Sequence, residues 1–94
     1  MRRIEYSTRF RKDFKRYLKQ ADKLKKILAA VEMLKTGSEM PPAMCPHKLS
    51  GNYAGYMEMH IGRDLLLIWI ERSKSGDEII KLVRLGSHSE LFGK

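Results

Sequence analysis

An α+β fold, with a basic two-helix antiparallel hairpin packed on a small antiparallel sheet, follows from three features of the 94-residue sequence. Residues 9 to 36 repeat apolar side chains at helical spacing, residues 53 to 85 alternate and then run apolar in strand-length pieces, and turn-forming residues separate these stretches. The expected order is β-α-α-β-β-β with a short C-terminal tail, and the length suits one domain over residues 1–94. A chain this short has room for one core, so any site lies on that core's surface.

Composition narrows the classes. With 43% of residues hydrophobic and 32% charged, the balance is that of a soluble globular protein, and the strongest apolar run, Leu65 to Ile70, is too short to span a bilayer. Arg2 and Arg3 give the N-terminus the charge of an export signal, but no apolar run follows, so a cytoplasmic location is expected. One cysteine, Cys45, has no internal disulfide partner, in keeping with a reducing compartment. Residues 1–36 hold twelve Lys/Arg against four Asp/Glu, whereas residues 37–94 hold seven of each, so the net charge of +8 sits in the first third. A one-ended basic surface attracts polyanions, nucleic acid first among them.

Taken in order, Arg3-Ile4-Glu5-Tyr6-Ser7 alternates and favours a short opening strand, which Ser7-Thr8 ends as a helix cap. From Arg9 to about Gln20, Phe10, Phe14, Tyr17 and Leu18 form one apolar stripe with basic residues outward. That spacing assigns the aromatics to the core. Ala21-Asp22 offers a break, Leu24, Ile27, Leu28, Val31 and Leu34 repeat the stripe, and Thr36-Gly37 supplies a stop. Residues 37–52 carry all three prolines without a sustained period and are expected to form a long loop containing His47. Tyr53 to Ile61 alternates, with Tyr56, Glu58 and His60 on one face; Leu65 to Glu71 and Glu78 to Leu85 complete a three-stranded meander around turns at Gly62–Asp64 and Ser73–Asp77. The middle strand is apolar on both faces, so the helices cover one and the other is a shallow concavity.

The chain's three histidines, His47, His60 and His88, come from the loop, a strand and the tail, near Lys48, Glu58, Asp64 and Arg84. Cleaving RNA without a metal takes a base for the 2′-hydroxyl proton, an acid for the departing 5′-oxygen, and positive charge on the phosphorane. Histidines, a carboxylate and an arginine supply those roles, and Phe92 adds a ring that can stack on a base. Spacing alone leaves the geometry open. A metal set of Cys45, His47, His60 and His88 has suitable ligand types, but Cys45-Pro46-His47 lacks a finger spacing.

The segments His47-Lys48-Leu49-Ser50-Gly51, Gly55-Tyr56-Met57-Glu58-Met59-His60, Asp64-Leu65-Leu66-Leu67-Ile68 and Arg84 to Gly93 resemble, in type and order, the YafQ branch of the RelE/ParE toxins. The resemblance runs from the first strand to the last residue. It implies a toxin of a type II toxin–antitoxin module: a ribosome-dependent endoribonuclease that cuts mRNA in the A site, needs no cofactor or metal, and is held by a cognate antitoxin in a hetero-oligomer. Position by position, it makes His88 the proton donor to the 5′-oxygen and makes His47, His60 and Asp64 acid–base or orienting groups. Arg84 becomes the holder of the scissile phosphate, and Phe92 with Lys48 and Glu58 would meet substrate. Where relatives often carry tryptophan after the aspartate, this chain has Leu65, and Trp69 reads as core. The basic residues Lys12, Lys15, Arg16, Lys19, Lys23, Lys25 and Lys26 are then expected to meet ribosomal RNA. Two other readings stand beside this one: a ParE-like toxin directed at gyrase, and a non-catalytic basic nucleic-acid-binding regulator.

Overall fold

The computed structural model describes residues 2–44 and 46–93; Cys45, and with it the metal set drawn through it, lies outside the described residues. The order is β1 (Arg3–Tyr6), α1 (Thr8–Lys15), α2 (Ala21–Thr36), β2 (His47–Lys48), β3 (Met57–Gly62), β4 (Leu65–Lys74), β5 (Asp77–Gly86) and α3 (His88–Phe92), with 3-10 turns at Pro42–Met44 and Gly51–Tyr53. No described helix is long and apolar enough to cross a membrane.

The expected meander of β3, β4 and β5 is the centre of a larger sheet, ordered β1-β5-β4-β3-β2. β1 joins β5 in parallel, with Arg3 opposite Ile79 and Tyr6 opposite Leu82. β2 joins β3 antiparallel, with His47 opposite Glu58, so a histidine expected in a loop is fixed in a ladder. The β4–β5 hairpin closes on two residues, Ser75 and Gly76, at φ of 53° and 85°. Positive φ at both turn residues matches the twist of the flanking strands, which is why they run on to Lys74 and Asp77 and shorten the expected turn. β3 begins at Met57 rather than Tyr53, because the backbone from Gly51 to Tyr53 is wound into a 3-10 turn and Gly55 takes φ of 91°.

Ser7 caps α1, its hydroxyl accepting from the Phe10 amide at 2.9 Å. The helix stops at Lys15, short of the expected Gln20, and i→i+3 bonds such as Tyr17 N to the Phe14 carbonyl at 2.9 Å tighten the next turn. That tightening still buries Tyr17 while letting α2 start at Ala21. α2 ends on Gly37 at φ of 73°, whose amide returns to the Met33 carbonyl.

β4 divides the interior. Leu65, Leu67 and Trp69 face the helices and pack with Phe10, Ile27 and Leu34, while Leu66 and Ile68 face away and gather Leu49, Tyr53, Tyr56, Val83 and Leu91. A bulge at Val83 keeps Leu82 and Leu85, three positions apart, both on the helix side and sets Arg84 opposite Ile68. The helical stripes are not wholly covered: Leu18 is 52% exposed and Leu28 55%, both expected in the core. Residues 86 to 93 are not a loose tail but the helix α3, whose Leu91 plugs the second cluster.

Truncating Leu67 to alanine removes fully buried side chain on the central strand and should lower unfolding free energy by about 2–5 kcal/mol. Leu28→Ser, at an exposed position, should shift it by no more than about 0.5 kcal/mol. Urea titrations of both variants check the contrast.

Candidate active site

Three imidazoles stand in a row on the face of the sheet away from α1 and α2. His47 on β2 and His60 on β3 have ring centroids 6.3 Å apart, and His60 lies 6.0 Å from His88 on α3. The row continues through Phe92, 6.2 Å from His88, to Tyr53, which meets Phe92 edge-to-face at 5.5 Å. Strand alternation makes the first part of the row: Glu58 and His60 share a face of β3, and His47 is directly opposite Glu58.

A carboxylate steadies each end. His47 Nε2 is 3.2 Å from Glu58 Oε1, and Glu58 is only 4% exposed. Asp64, at the β3–β4 turn, accepts from the His88 backbone N–H at 3.3 Å and faces His88 Nδ1 at 3.2 Å. Those two contacts, the ring first, hold the Asp64 carboxyl below its ordinary range, with Lys23 adding a smaller charge effect. An ionised Asp64 accepts from the Nδ1–H, and His88 Nε2 is the ring nitrogen that Asp64 does not engage.

α3 is five residues long and would not persist alone. Ser87 and Glu90 form a capping box, Gly93 ends the helix at φ of 74°, and Leu91 is buried. Glu90 also binds Arg16 and faces the Tyr17 hydroxyl on the segment after α1. Its carboxyl is held below the ordinary range mainly by the Ser87 backbone N–H. Burial, then the Glu90 charge, pushes the Tyr17 phenol up.

Arg84 is already paired within the fold. Its side chain is only 11% exposed and its guanidinium is bound to Asp13 on α1, Nε to Oδ2 at 2.8 Å. The same Asp13 oxygen accepts from the Leu85 amide at 2.9 Å. The hydrogen bond to Asp13 raises the Arg84 pKa above its ordinary value against the cost of burial. Sequence reading passed over Asp13, although a carboxylate at i+3 from Phe10 and i−4 from Tyr17 interrupts an apolar stripe and is a signal in itself. Lys48 stands apart from the row: it follows His47 on a strand and pairs with Met57, so it projects to the opposite face. Lys12, Lys15, Arg16, Lys19, Lys23, Lys25 and Lys26 are all exposed, and Lys23 reaches over the Tyr17 ring at 5.7 Å. Among the described residues, no group of three or more His, Cys, Asp or Glu is arranged to hold a metal ion.

A second surface lies between α1 and α2. A groove of about 540 Å³ is floored by Phe10, Phe14, Ile27 and Val31, edged by the exposed Tyr6, Leu18 and Leu28, and rimmed by Arg11 and Lys15.

A profile described as "Bacterial toxin of type II toxin-antitoxin system, YafQ" matches residues 2–93. The chain belongs to the YafQ toxin family. The mRNA interferase toxin YafQ of Escherichia coli K12 is 31% identical over 93 residues, spanning 98% of this chain and 97% of that protein. A crystal structure of a metal-bound toxin from Helicobacter pylori superposes with a TM-score of 0.84 at 38% identity over 98% of this chain and all of that one. The toxin in the E. coli DinJ–YafQ toxin–antitoxin complex gives 0.82 at 30% identity, covering 98% of both chains. The YafQ resemblance carried by the histidine segments and the expected α+β architecture both hold.

Asp64 and Glu90 have depressed pKa values in the fold, so their contacts to α3 are complete above the ordinary carboxylate range, near pH ~4, and are lost as pH falls below it. NMR of His88 and Phe92 should therefore report release of α3 below about pH 4 while the β4–β5 core signals persist. In Glu90→Ala, which removes the capping box altogether, that release should begin at higher pH.

Proposed function

We propose that this chain is the mRNA-cleaving toxin of a type II module, acting in the cytoplasm on the ribosomal A site by metal-free attack of a ribose 2′-hydroxyl on the adjacent phosphate, and silenced by a cognate antitoxin. Family membership supports the toxin and its endoribonuclease activity, since the YafQ relative is an mRNA interferase. The observation that carries the mechanism is the row of imidazoles with His88 oriented by Asp64.

In this reaction the 2′-oxygen bonds to phosphorus as the bond to the 5′-oxygen breaks, leaving a cyclic phosphate and a free 5′-hydroxyl. His88, whose Nδ1 proton is committed to Asp64, offers Nε2 as the proton donor to the 5′-oxygen. His60, 6.0 Å away, then takes the 2′-hydroxyl proton, and His47 extends the row with the Glu58 charge behind it. Phe92, 38% exposed, offers its ring to a base. Arg84 contributes charge from the position in which Asp13 holds it rather than as a free clamp. The exposed lysines of the two helices other than Lys12 serve ribosomal RNA, where a dispersed positive surface needs no fixed geometry.

The partner reading rests on the second surface. E. coli YafQ forms a complex with DinJ, and the groove of this chain suits an apolar helix of an antitoxin with acidic residues facing Arg11 and Lys15. It lies on the opposite side of the sheet from the histidine row, so a partner seated there does not by that contact cover the row.

On ribosomes programmed with mRNA, wild type should produce new 5′ ends, and His88→Ala or His60→Ala should cut their yield by roughly 100-fold or more. Equal cleavage by His88→Ala would remove the acid–base assignment. Leu28→Glu places a charge in the groove and should abolish capture by the co-expressed antitoxin with the melting temperature preserved; retained capture would move the interface elsewhere.

A further inference from the structure

Beside the histidine row, on the flank where α1 crosses the end of β5, a concavity of about 400 Å³ is lined by Arg9, Lys12, Asp13, Arg16 and Arg84. Arg9, Lys12 and Arg16 recur at i, i+3 and i+7 and so share one side of α1. Their charges are unequally used. Asp13 is spent on Arg84 and Leu85, and Glu90 on Arg16 and the α3 cap, whereas no carboxylate stands within ion-pair distance of Arg9 or Lys12 among the described residues. The lining carries four cations and one carboxylate, a charge of +3, and counting Glu90, which pairs with Arg16 from outside it, still leaves +2, enough for one phosphodiester with charge to spare.

We infer that this concavity is a phosphate subsite for the RNA strand being cut, taking a backbone phosphate one or more nucleotides from the scissile bond. The inference rests on the mRNA-cleaving reading and adds a place where that strand is gripped. A phosphodiester fits because Arg9 presents a planar fork of donors and Lys12 a mobile ammonium, while Arg84 is pre-set by its Asp13 bond. The cut strand, rather than ribosomal RNA, is favoured by continuity. Arg84 lies between the concavity and Tyr53, which interacts with it, and Tyr53 meets Phe92, which adjoins His88. A strand with one base against Phe92 and its reacting phosphate at His88 therefore leads its neighbouring phosphates past Arg84 to Arg9 and Lys12. Asp13 keeps Arg84 facing this path.

The test compares Arg9→Gln/Lys12→Gln with Lys35→Gln/Lys74→Gln, which removes the same charge elsewhere. With a single-stranded RNA oligonucleotide whose 2′-hydroxyls are methylated, the plot of log affinity against log salt should lose about 0.7 in slope per phosphate contact in the first variant only. Affinity should fall roughly tenfold. On programmed ribosomes the same variant should raise the KM for mRNA by a similar factor, with the rate at saturating mRNA within about twofold of wild type, and Arg9→Lys should recover part of the loss. Equal slopes for the two double variants would overturn the subsite. A loss seen only in binding to ribosomes without mRNA would hand these residues to ribosomal RNA and also overturn it. Failure of the wild type to cleave mRNA would instead defeat the activity reading, and it is separable because the methylated oligonucleotide measures binding alone.

Discussion

The carboxylate of Asp13 is the contact on which the working face depends. β1 stops at Tyr6 while β5 runs on to Gly86, so the last part of β5 has lost its neighbour on that side. Ser7 and Asp13 replace the missing strand with side chains: the Ser7 hydroxyl donates to the Val83 carbonyl at 2.8 Å, and Asp13 takes the Leu85 amide. Asp13 is 3% exposed, and its desolvation is offset by the charge and paired donors of Arg84. Removing one partner of such a buried pair costs about 3–5 kcal/mol, because the other is left charged and unmatched. One residue thus fixes the end of β5, the direction of Arg84 and the point from which α3 departs.

The sheet separates two kinds of work. Its helix side is a continuous apolar core with a groove left open between α1 and α2, and its other side carries a small apolar cluster topped by ionisable rings. Each needs the other. Leu66 and Ile68 bury the base of the second cluster so that Leu91 has something to sit on, and Leu91 anchors a helix too short to stand by itself. His88 owes its place to this anchorage as much as to Asp64.

Periodicity made much of this legible. Helical spacing located α1 and α2, Gly37 stopped the second where expected, and the two-faced apolar run of Leu65 to Ile70 marked the central strand. Alternation in β3 placed Glu58 and His60 together, and motif order joined His47 and His88 to them. Other features depended on pairing that spacing does not encode. Nothing in Arg3–Tyr6 names β5 as a parallel partner, and His47–Lys48 is too short to show a strand period. Leu18 and Leu28 satisfied the helical pattern yet stayed outside, since an apolar face covers only what the opposing layer is wide enough to reach. Two signals were present and readable: Ser87-x-x-Glu90 is a capping box, and Asp13 is a charge within a stripe.

The parallel pairing of β1 with β5 also governs when the molecule can exist. A strand near the start of the chain hydrogen-bonds to one near its end, and β5 sits between β1 and β4 while supplying Ile80, Leu82 and Leu85 to the helix-side core. During synthesis α1 and α2 emerge long before the strand that fixes them, and the nucleating contacts must wait for a late arrival. His88 comes later still, beyond β5. A chain that has not yet added β5 therefore lacks the strand that fixes both helices and the segment that carries His88.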